Sequence, residues 1–366
     1  MALRMATMET EVARHFTYSV PEMVFEGIEY DTGYGQWAVA LNGKAVAKSA
    51  EGLPTQPTAS TAKMIMALAV MERKPFGVGE SGETIAVTDD IYNIYVNYDA
   101  AGGSTTAVQV GEEISVYDAL ASALIASSNN MADTLAIWAF DSLPEYQKYA
   151  QEMIEKLGAK HTTIGSDASG FNDNTTSTAE DLALIGEAVL RQPVLAEIVG
   201  KTSVVVPVAG EIENTNKLLG VDGIVGVKTG YIGDASGYCL VSGYRVGEEI
   251  VTIAMLGAPT RQSSFDATLG LVAKAKEKIT LRELVEASEE VGYYETWWAG
   301  KIPITADKPV SGVVVSDTDA RLNETTDTLT ITTRETSYFV PISTANFPKE
   351  PTIWQRFLHV FGWIAE

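Results

Sequence analysis

Ile224-Val225-Gly226-Val227-Lys228, Tyr238-Cys239-Leu240-Val241-Ser242-Gly243-Tyr244 and Ile250-Val251-Thr252-Ile253-Ala254-Met255-Leu256 are three apolar, β-branched runs separated by short polar stretches rich in glycine. Their length and composition predict strands over 224–228, 238–244 and 250–256, and connections this short pair neighbours antiparallel. A similar run at 204–207 precedes them. Toward the N-terminus, Gln36-Trp37-Ala38-Val39-Ala40-Leu41 and Lys44-Ala45-Val46-Ala47 flank Asn42-Gly43, the strongest short-range signal for a hairpin. Between these blocks the apolar spacing is helical, with helices expected from Ser60 to about Arg73, from Ser115 to about Ile125, and over 131–140, 145–157 and 178–191, and another near 264–279 after the last strand. Early and late strands with helices inserted between them predict an α/β fold. An antiparallel sheet is sandwiched by helices and carries an inserted helical lobe.

Three short motifs fall on this framework in one order: Ser60-Thr61-Ala62-Lys63, Ser127-Ser128-Asn129 and Lys228-Thr229-Gly230. Pro54 and Pro57 break the chain before Ser60, which places it at a helix start with Lys63 one turn on, on the same face. A serine hydroxyl is unreactive near neutral pH without such a partner. The helix start adds a backbone N–H and partial positive charge, suited to an oxyanion formed in acyl transfer. Lysine serves as a base only when neutral, so burial or a neighbouring cation such as Lys228 must lower its pKa. The alternative for Lys63 is a solvated helix lysine. The middle motif is ambiguous by one residue, since Ser127/Asn129 and Ser128/Asn130 both fit, and it also reads as a polar interhelix loop. Gly230, at a strand end, lets a ligand approach the backbone closely; a surface turn is the bland reading.

The motifs, together with Ser177-Thr178-Ala179-Glu180-Asp181-Leu182-Ala183-Leu184-Ile185-Gly186 and Asn214-Thr215-Asn216-Lys217-Leu218-Leu219, resemble low-molecular-mass penicillin-binding proteins of the D-alanyl-D-alanine carboxypeptidase family. The resemblance runs over about residues 25–285 and implies a β-lactamase/DD-peptidase-like fold. It implies a serine peptidase that is acylated at Ser60 by the penultimate D-alanine of a peptidoglycan pentapeptide, releases terminal D-alanine, and is inhibited covalently by β-lactams. The preceding Ala-Leu-Ile-Ala run matches the family in the Ser127/Asn129 register. In that register Ser127 relays a proton between Lys63 and the leaving amine, and Asn129 binds a substrate amide. Lys228 and Thr229 hold a carboxylate, and the Tyr231 N–H is the second oxyanion donor.

One stretch departs from the family pattern. Many relatives resemble Gly-Ala-x-x-Arg-x-x-Arg-Phe; here Gly257-Ala258-Pro259-Thr260-Arg261-Gln262-Ser263-Ser264-Phe265 keeps Arg261 but has serine at the later arginine position. Arg261 is therefore the candidate helper for the carboxylate. Related readings are a DD-endopeptidase, a β-lactamase or a non-catalytic β-lactam- or peptidoglycan-binding protein. Class A β-lactamases share a Glu-x-x-Leu-Asn loop, which Glu180-Asp181-Leu182-Ala183-Leu184 does not match.

Composition narrows the partners. A formal charge of −22, from 26 Lys+Arg against 48 Asp+Glu, repels a phosphate backbone and argues against nucleic acid. His15, His161 and His359 lie far apart and Cys239 is the single cysteine, so neither a zinc site nor an internal disulfide is expected. The Gly77-x-Gly79-x-x-Gly82 match follows a helix and a proline, and reads as a loop rather than a dinucleotide site. No cofactor is implied. The expected organisation is a leader over 1–24 without an apolar run of signal-peptide length, a catalytic domain over 25–286, a small β-rich domain over 287–346 and an amphipathic helix over 347–366. In that last segment Ile353, Trp354, Phe357, Leu358, Phe361 and Ile364 recur at helical spacing. Such a stripe can lie in a membrane interface or pack on the protein's own β-module, and similar tails anchor relatives to the outer face of the cytoplasmic membrane. The resemblance thus implies an extracytoplasmic, envelope location.

Overall fold

The computed structural model describes residues 12–18, 27–315, 321–324, 329–332, 337–343, 345 and 347–360. The chain divides into two compact units, Gly27–Glu277 and a second made of Met1–Glu26 with Lys278–Glu366.

The first unit is built on a five-stranded sheet of β1 (Gln36–Leu41), β2 (Lys44–Lys48), β3 (Gly226–Gly230), β4 (Tyr238–Val246) and β5 (Glu249–Ala258). Spatial order is β3-β4-β5-β1-β2, antiparallel throughout. The β1–β2 turn forms because Asn42 and Gly43 both take positive φ, 52° and 74°, as a two-residue hairpin turn requires. Every residue of β1 is buried, so the sheet is covered on both faces, as the sandwich expectation requires.

Helices follow as α1 (Lys63–Arg73), α2 (Asp89–Ala100), α3 (Val116–Leu124), α4 (Asn129–Phe140), α5 (Leu143–Lys156), α6 (Ala179–Arg191), α7 (Pro193–Val199) and α8 (Arg261–Lys278). Met64, Ile65, Met66, Ala67, Ala69 and Val70 are all buried, so α1 is apolar on every side and forms the centre of the helical lobe, packed by α3, α4, α5 and α6. Ser115 caps α3 by accepting the Asp118 N–H at 3.0 Å, and Thr178 caps α6 from Asp181 at 3.2 Å. α6 lies across β1, β4 and β5.

Four sequence expectations change. Ser60 sits in a 3₁₀ turn, Ala59–Ala62, that runs into α1 rather than in the α-helix itself. The strand near 204–207 is Ser203–Val206 and pairs only with Gly210–Glu213 in a separate hairpin. Helices α2 and α7 were not among the sequence expectations. α2 buries no residue fully; Ile91, Ile94, Tyr95 and Tyr98 form a half-buried stripe, with Ile91 and Tyr95 against the core, and the helix starts from the Thr88 cap with Asp89 and Asp90 in its first turn. α7 follows α6 after a single residue, Gln192. The division between units also moves. Ala13–Phe16, expected as leader, is a strand paired with Glu290–Thr296, and α8 passes directly into the strand Ile279–Val285, so no composition break marks the junction near 278.

The second unit is β-rich, with a core that includes Leu284, Val285, Val291, Tyr294, Ile304, Leu329, Ile331 and Val340. Its last described helix, α9 (Ile353–Val360), is tied down by Gln355, whose Nε2 donates to the Trp298 carbonyl at 3.0 Å. Ile353 and Trp354 are 74% and 70% exposed. Of the expected stripe, Phe361, Ile364 and the Phe357 side chain lie outside what is described. Among the described residues no helix is long and apolar enough to cross a membrane.

Candidate active site

The three motifs converge on one cleft of about 200 Å³ in the first unit, whose walls include Ser60, Ser127, Thr229, Gly230, Tyr231 and Arg261. The 3₁₀ turn offers Ser60 half-buried at the cleft wall, and Lys63 begins α1 directly behind it. Lys63 is fully buried. Its Nζ lies within hydrogen-bond distance of three oxygens, Ser60 Oγ at 2.8 Å, Asn129 Oδ1 at 2.7 Å and the Ser169 carbonyl at 2.8 Å. Burial, reinforced by the positive charge of Lys228, holds its pKa well below the usual lysine value; Asp167 and Asp133 act in the opposite sense. The solvated-lysine alternative is therefore removed. An amine in this state can take the Ser60 proton.

The one-residue ambiguity of the middle motif resolves geometrically. Ser128 is the N-cap of α4 and hydrogen-bonds Asn130, whose amide is consumed by both backbone groups of Thr106, so this buried pair shapes the fold. Ser127 and Asn129 face the site instead. Ser127 lines the cleft from a left-handed backbone, φ 65°, a conformation that costs a non-glycine residue on the order of 1 kcal/mol. The Asn129 N–H is held by the Ser104 carbonyl at 2.8 Å, and its oxygen is committed to Lys63.

β3 forms the opposite wall. A Cβ on Gly230 would lie 3.0 Å from the Thr58 carbonyl and 3.2 Å from the Ser60 N, so the missing side chain brings this strand against the Ser60 turn. Thr229 faces the cleft and exchanges a 2.7 Å hydrogen bond with the Thr215 hydroxyl. Lys228 lies behind it, 1% exposed, with Nζ donating to the Thr229 carbonyl at 3.1 Å, and burial brings its pKa down to about 7. Tyr231 stacks on Tyr238 with ring centroids 4.1 Å apart. Arg261 opens α8 at the rim, and Ser264, in place of the expected second arginine, is buried with its hydroxyl on the Arg261 carbonyl at 2.7 Å. Among the described residues none of the cleft walls carries a carboxylate. Glu180 is ion-paired with Lys48 at 2.7 Å, and Asp181 takes the His161 N–H and the Thr162 hydroxyl; neither lines the cleft.

Sequence reasoning missed Ser104, Thr215, Tyr238 and the Ser169 carbonyl. Thr215 lay inside a segment already matched to the family, and Ser169 inside a polar loop with no period; backbone acceptors have no sequence signature. Among the described residues no group of three or more His, Cys, Asp or Glu is arranged to hold a metal.

The family described as D-alanyl-D-alanine carboxypeptidase matches residues 39–260, which contain all three motifs. The chain belongs to this family. Among its relatives, D-alanyl-D-alanine carboxypeptidase DacF of Bacillus subtilis is 26% identical over 207 residues, 55% of this chain and 51% of that protein. The chain thus spans about half the length of DacF. Penicillin-binding protein D2 of Listeria monocytogenes, in its ampicillin-bound form, is 26% identical with a TM-score of 0.54 over 68% of this chain and 99% of its own. The peptidoglycan synthesis regulatory factor PBP3 of Streptococcus pneumoniae, at 18% identity, shares the fold with a TM-score of 0.70 over 86% of this chain and 99% of its own. The carboxypeptidase family match and these folds agree with the sandwich read from the strands.

Proposed function

We propose that this family member is a serine-type D-alanyl-D-alanine carboxypeptidase acting on the pentapeptide stems of peptidoglycan. The observation that carries the reading is the buried Lys63 amine 2.8 Å from the Ser60 hydroxyl at the wall of an open cleft. Neutral Lys63 removes the Ser60 proton as Oγ attacks the penultimate D-alanine carbonyl, and the oxyanion takes the Ser60 and Tyr231 N–H groups. Ser127 returns a proton to the departing D-alanine amine, Asn129 orients the peptide amide, and water hydrolyses the acyl-enzyme. The substrate's terminal carboxylate meets Thr229 and Arg261, with the Lys228 charge behind them. Replacing Arg261 by alanine should slow D-alanine release more than penicillin acylation; equal effects would make Arg261 structural.

β-Lactams fit as covalent inhibitors, a reading supported by the ampicillin-bound form of the Listeria relative. Without a carboxylate on the cleft wall to activate water, their acyl-enzymes should persist, which favours a peptidase over a β-lactamase. D-alanine release from a synthetic pentapeptide, with labelled penicillin mapped to the Ser60 peptide, tests the assignment. A folded Ser60→Ala protein that still takes label refutes it.

Residues 27–277 would form the catalytic domain and the β-rich unit its support. The exposed Ile353 and Trp354 of α9 favour the membrane interface as the tail's partner, on the outer face of the cytoplasmic membrane where the wall substrate lies.

A further inference from the structure

Lys63 Nζ meets three oxygens, and two of them, Asn129 Oδ1 and the Ser169 carbonyl, can only accept. A neutral amine has two hydrogens and one lone pair. With both hydrogens committed to those acceptors, the lone pair has one direction left, toward Ser60 Oγ. Asn129 is held by the start of α4, but Ser169 belongs to a loop outside any helix or strand, so its carbonyl needs another anchor.

Asp167 supplies it. Its Oδ1 accepts the Ser169 N–H at 2.9 Å, the Ser169 hydroxyl at 2.6 Å and the Phe171 N–H at 3.1 Å, while Oδ2 accepts the Asn172 N–H at 3.1 Å. Asp167 is 4% exposed and Ser169 fully buried. Gly170, at φ 68°, seats the loop under the nucleophile turn, where a Cβ would fall 2.0 Å from the Ala59 carbonyl. From α4, Asp133 takes the Ala168 N–H at 2.8 Å.

We infer that Asp167 is a positioning residue for the base: its carboxylate folds residues 167–172 so that the Ser169 carbonyl aims the Lys63 lone pair at Ser60. The inference rests on the acyl-enzyme reading above. In the step it serves, the Ser60 O–H bond breaks, its proton goes to Lys63 Nζ, and the oxygen's electron pair forms the bond to the carbonyl carbon. The resulting ammonium keeps all three oxygens as acceptors. The charged and titratable groups facing Lys63 are Lys228 from β3, Asp133 from α4 and Asp167 from the loop, with Tyr98 of α2 bridging Asp133 and Ser169 at 2.6 and 3.3 Å.

The role is tested on the full chain by the rate of Ser60 labelling with fluorescent penicillin across pH and by a ¹⁵N NMR titration of the Lys63 amine. In Asp167→Ala the carbonyl is released and water reaches the amine, so labelling should fall by about 20-fold or more at unchanged penicillin Kd, and Lys63 should titrate at higher pH than in Asp167→Asn, which loses the same charge but keeps the loop folded. Asp167→Asn keeps an oxygen for the three Oδ1 donors and should restore the rate to within about five-fold. Labelling and titration unchanged in folded Asp167→Ala, or Asp167→Asn as impaired as Asp167→Ala, would overturn the inference. If Asp167→Ala does not fold, Ser169→Ala decides, since it cuts one link to Asp167: a several-fold loss supports the role and an unchanged rate refutes it. A wild-type protein that takes no label would sink the acyl-enzyme reading instead, and the Lys63 titration in the variants would still decide what Asp167 does.

Discussion

At the scale of single residues, two buried lysines divide the work. Lys63 has to be neutral and Lys228 charged, although both lose solvation by burial. Lys63→Arg keeps a cation but removes any accessible neutral form, so penicillin acylation should fall by about three orders of magnitude or more. A rate near that of the wild type would assign the base elsewhere. For Lys228 the sign runs the other way: with a pKa near 7, the unliganded protein loses this cation as pH rises, and a carboxylate ligand loses its attraction. The kcat/KM for pentapeptide should therefore decline on the alkaline side from about pH 7, and Lys228→Arg, which stays charged, should push that limb upward. A limb at the same pH in a folded Lys228→Arg protein would trace it to another group.

Among elements, the contact that sets the site most directly is α6 on the sheet, because it fixes β4 and, through β4, the register of β3. Gly186 makes the close approach possible: a Cβ there would lie 2.4 Å from Val241 Cγ1, and Val241 is the register partner of Lys228. Gly186→Ala gains helix propensity but overpacks this contact, and should cost about 1–3 kcal/mol, read as a lower urea midpoint. An unchanged midpoint would show that the helix can slide without cost.

Across the whole molecule, a charge of −22 sets how the chain meets a surface. Anionic lipid repels it, so binding through α9 has to come from apolar burial, and salt should strengthen the binding by screening the repulsion. Co-sedimentation with anionic liposomes should pellet the full chain and leave a chain ending at Pro348 in solution, with more pelleted as salt rises. Equal partition of the two forms would remove the anchor, and binding weakened by salt would point to a basic patch instead.

The strands around Asn42-Gly43 and over 224–256, the order of the three motifs and the pairing of Ser60 with Lys63 were all legible in the sequence, because turn chemistry, period and one-turn spacing are local properties. Helix α2 was less legible: Ile91, Ile94, Tyr95 and Tyr98 recur at helical spacing, but that stripe is only half-buried and Tyr92 and Val96 blur it from the exposed side. Which serine and asparagine of Ser127-Ser128-Asn129-Asn130 face the cleft was decided by Thr106 and Ser104, which are distant in sequence and claim one pair each for the fold and for the site. The removal of Glu180 to Lys48 and the Ser169 carbonyl under Lys63 depend on contacts between residues more than a hundred positions apart. Short-range pattern specifies which groups are available. Only long-range packing, which strips water from Lys63 and leaves its amine a single free direction, makes one of them a base.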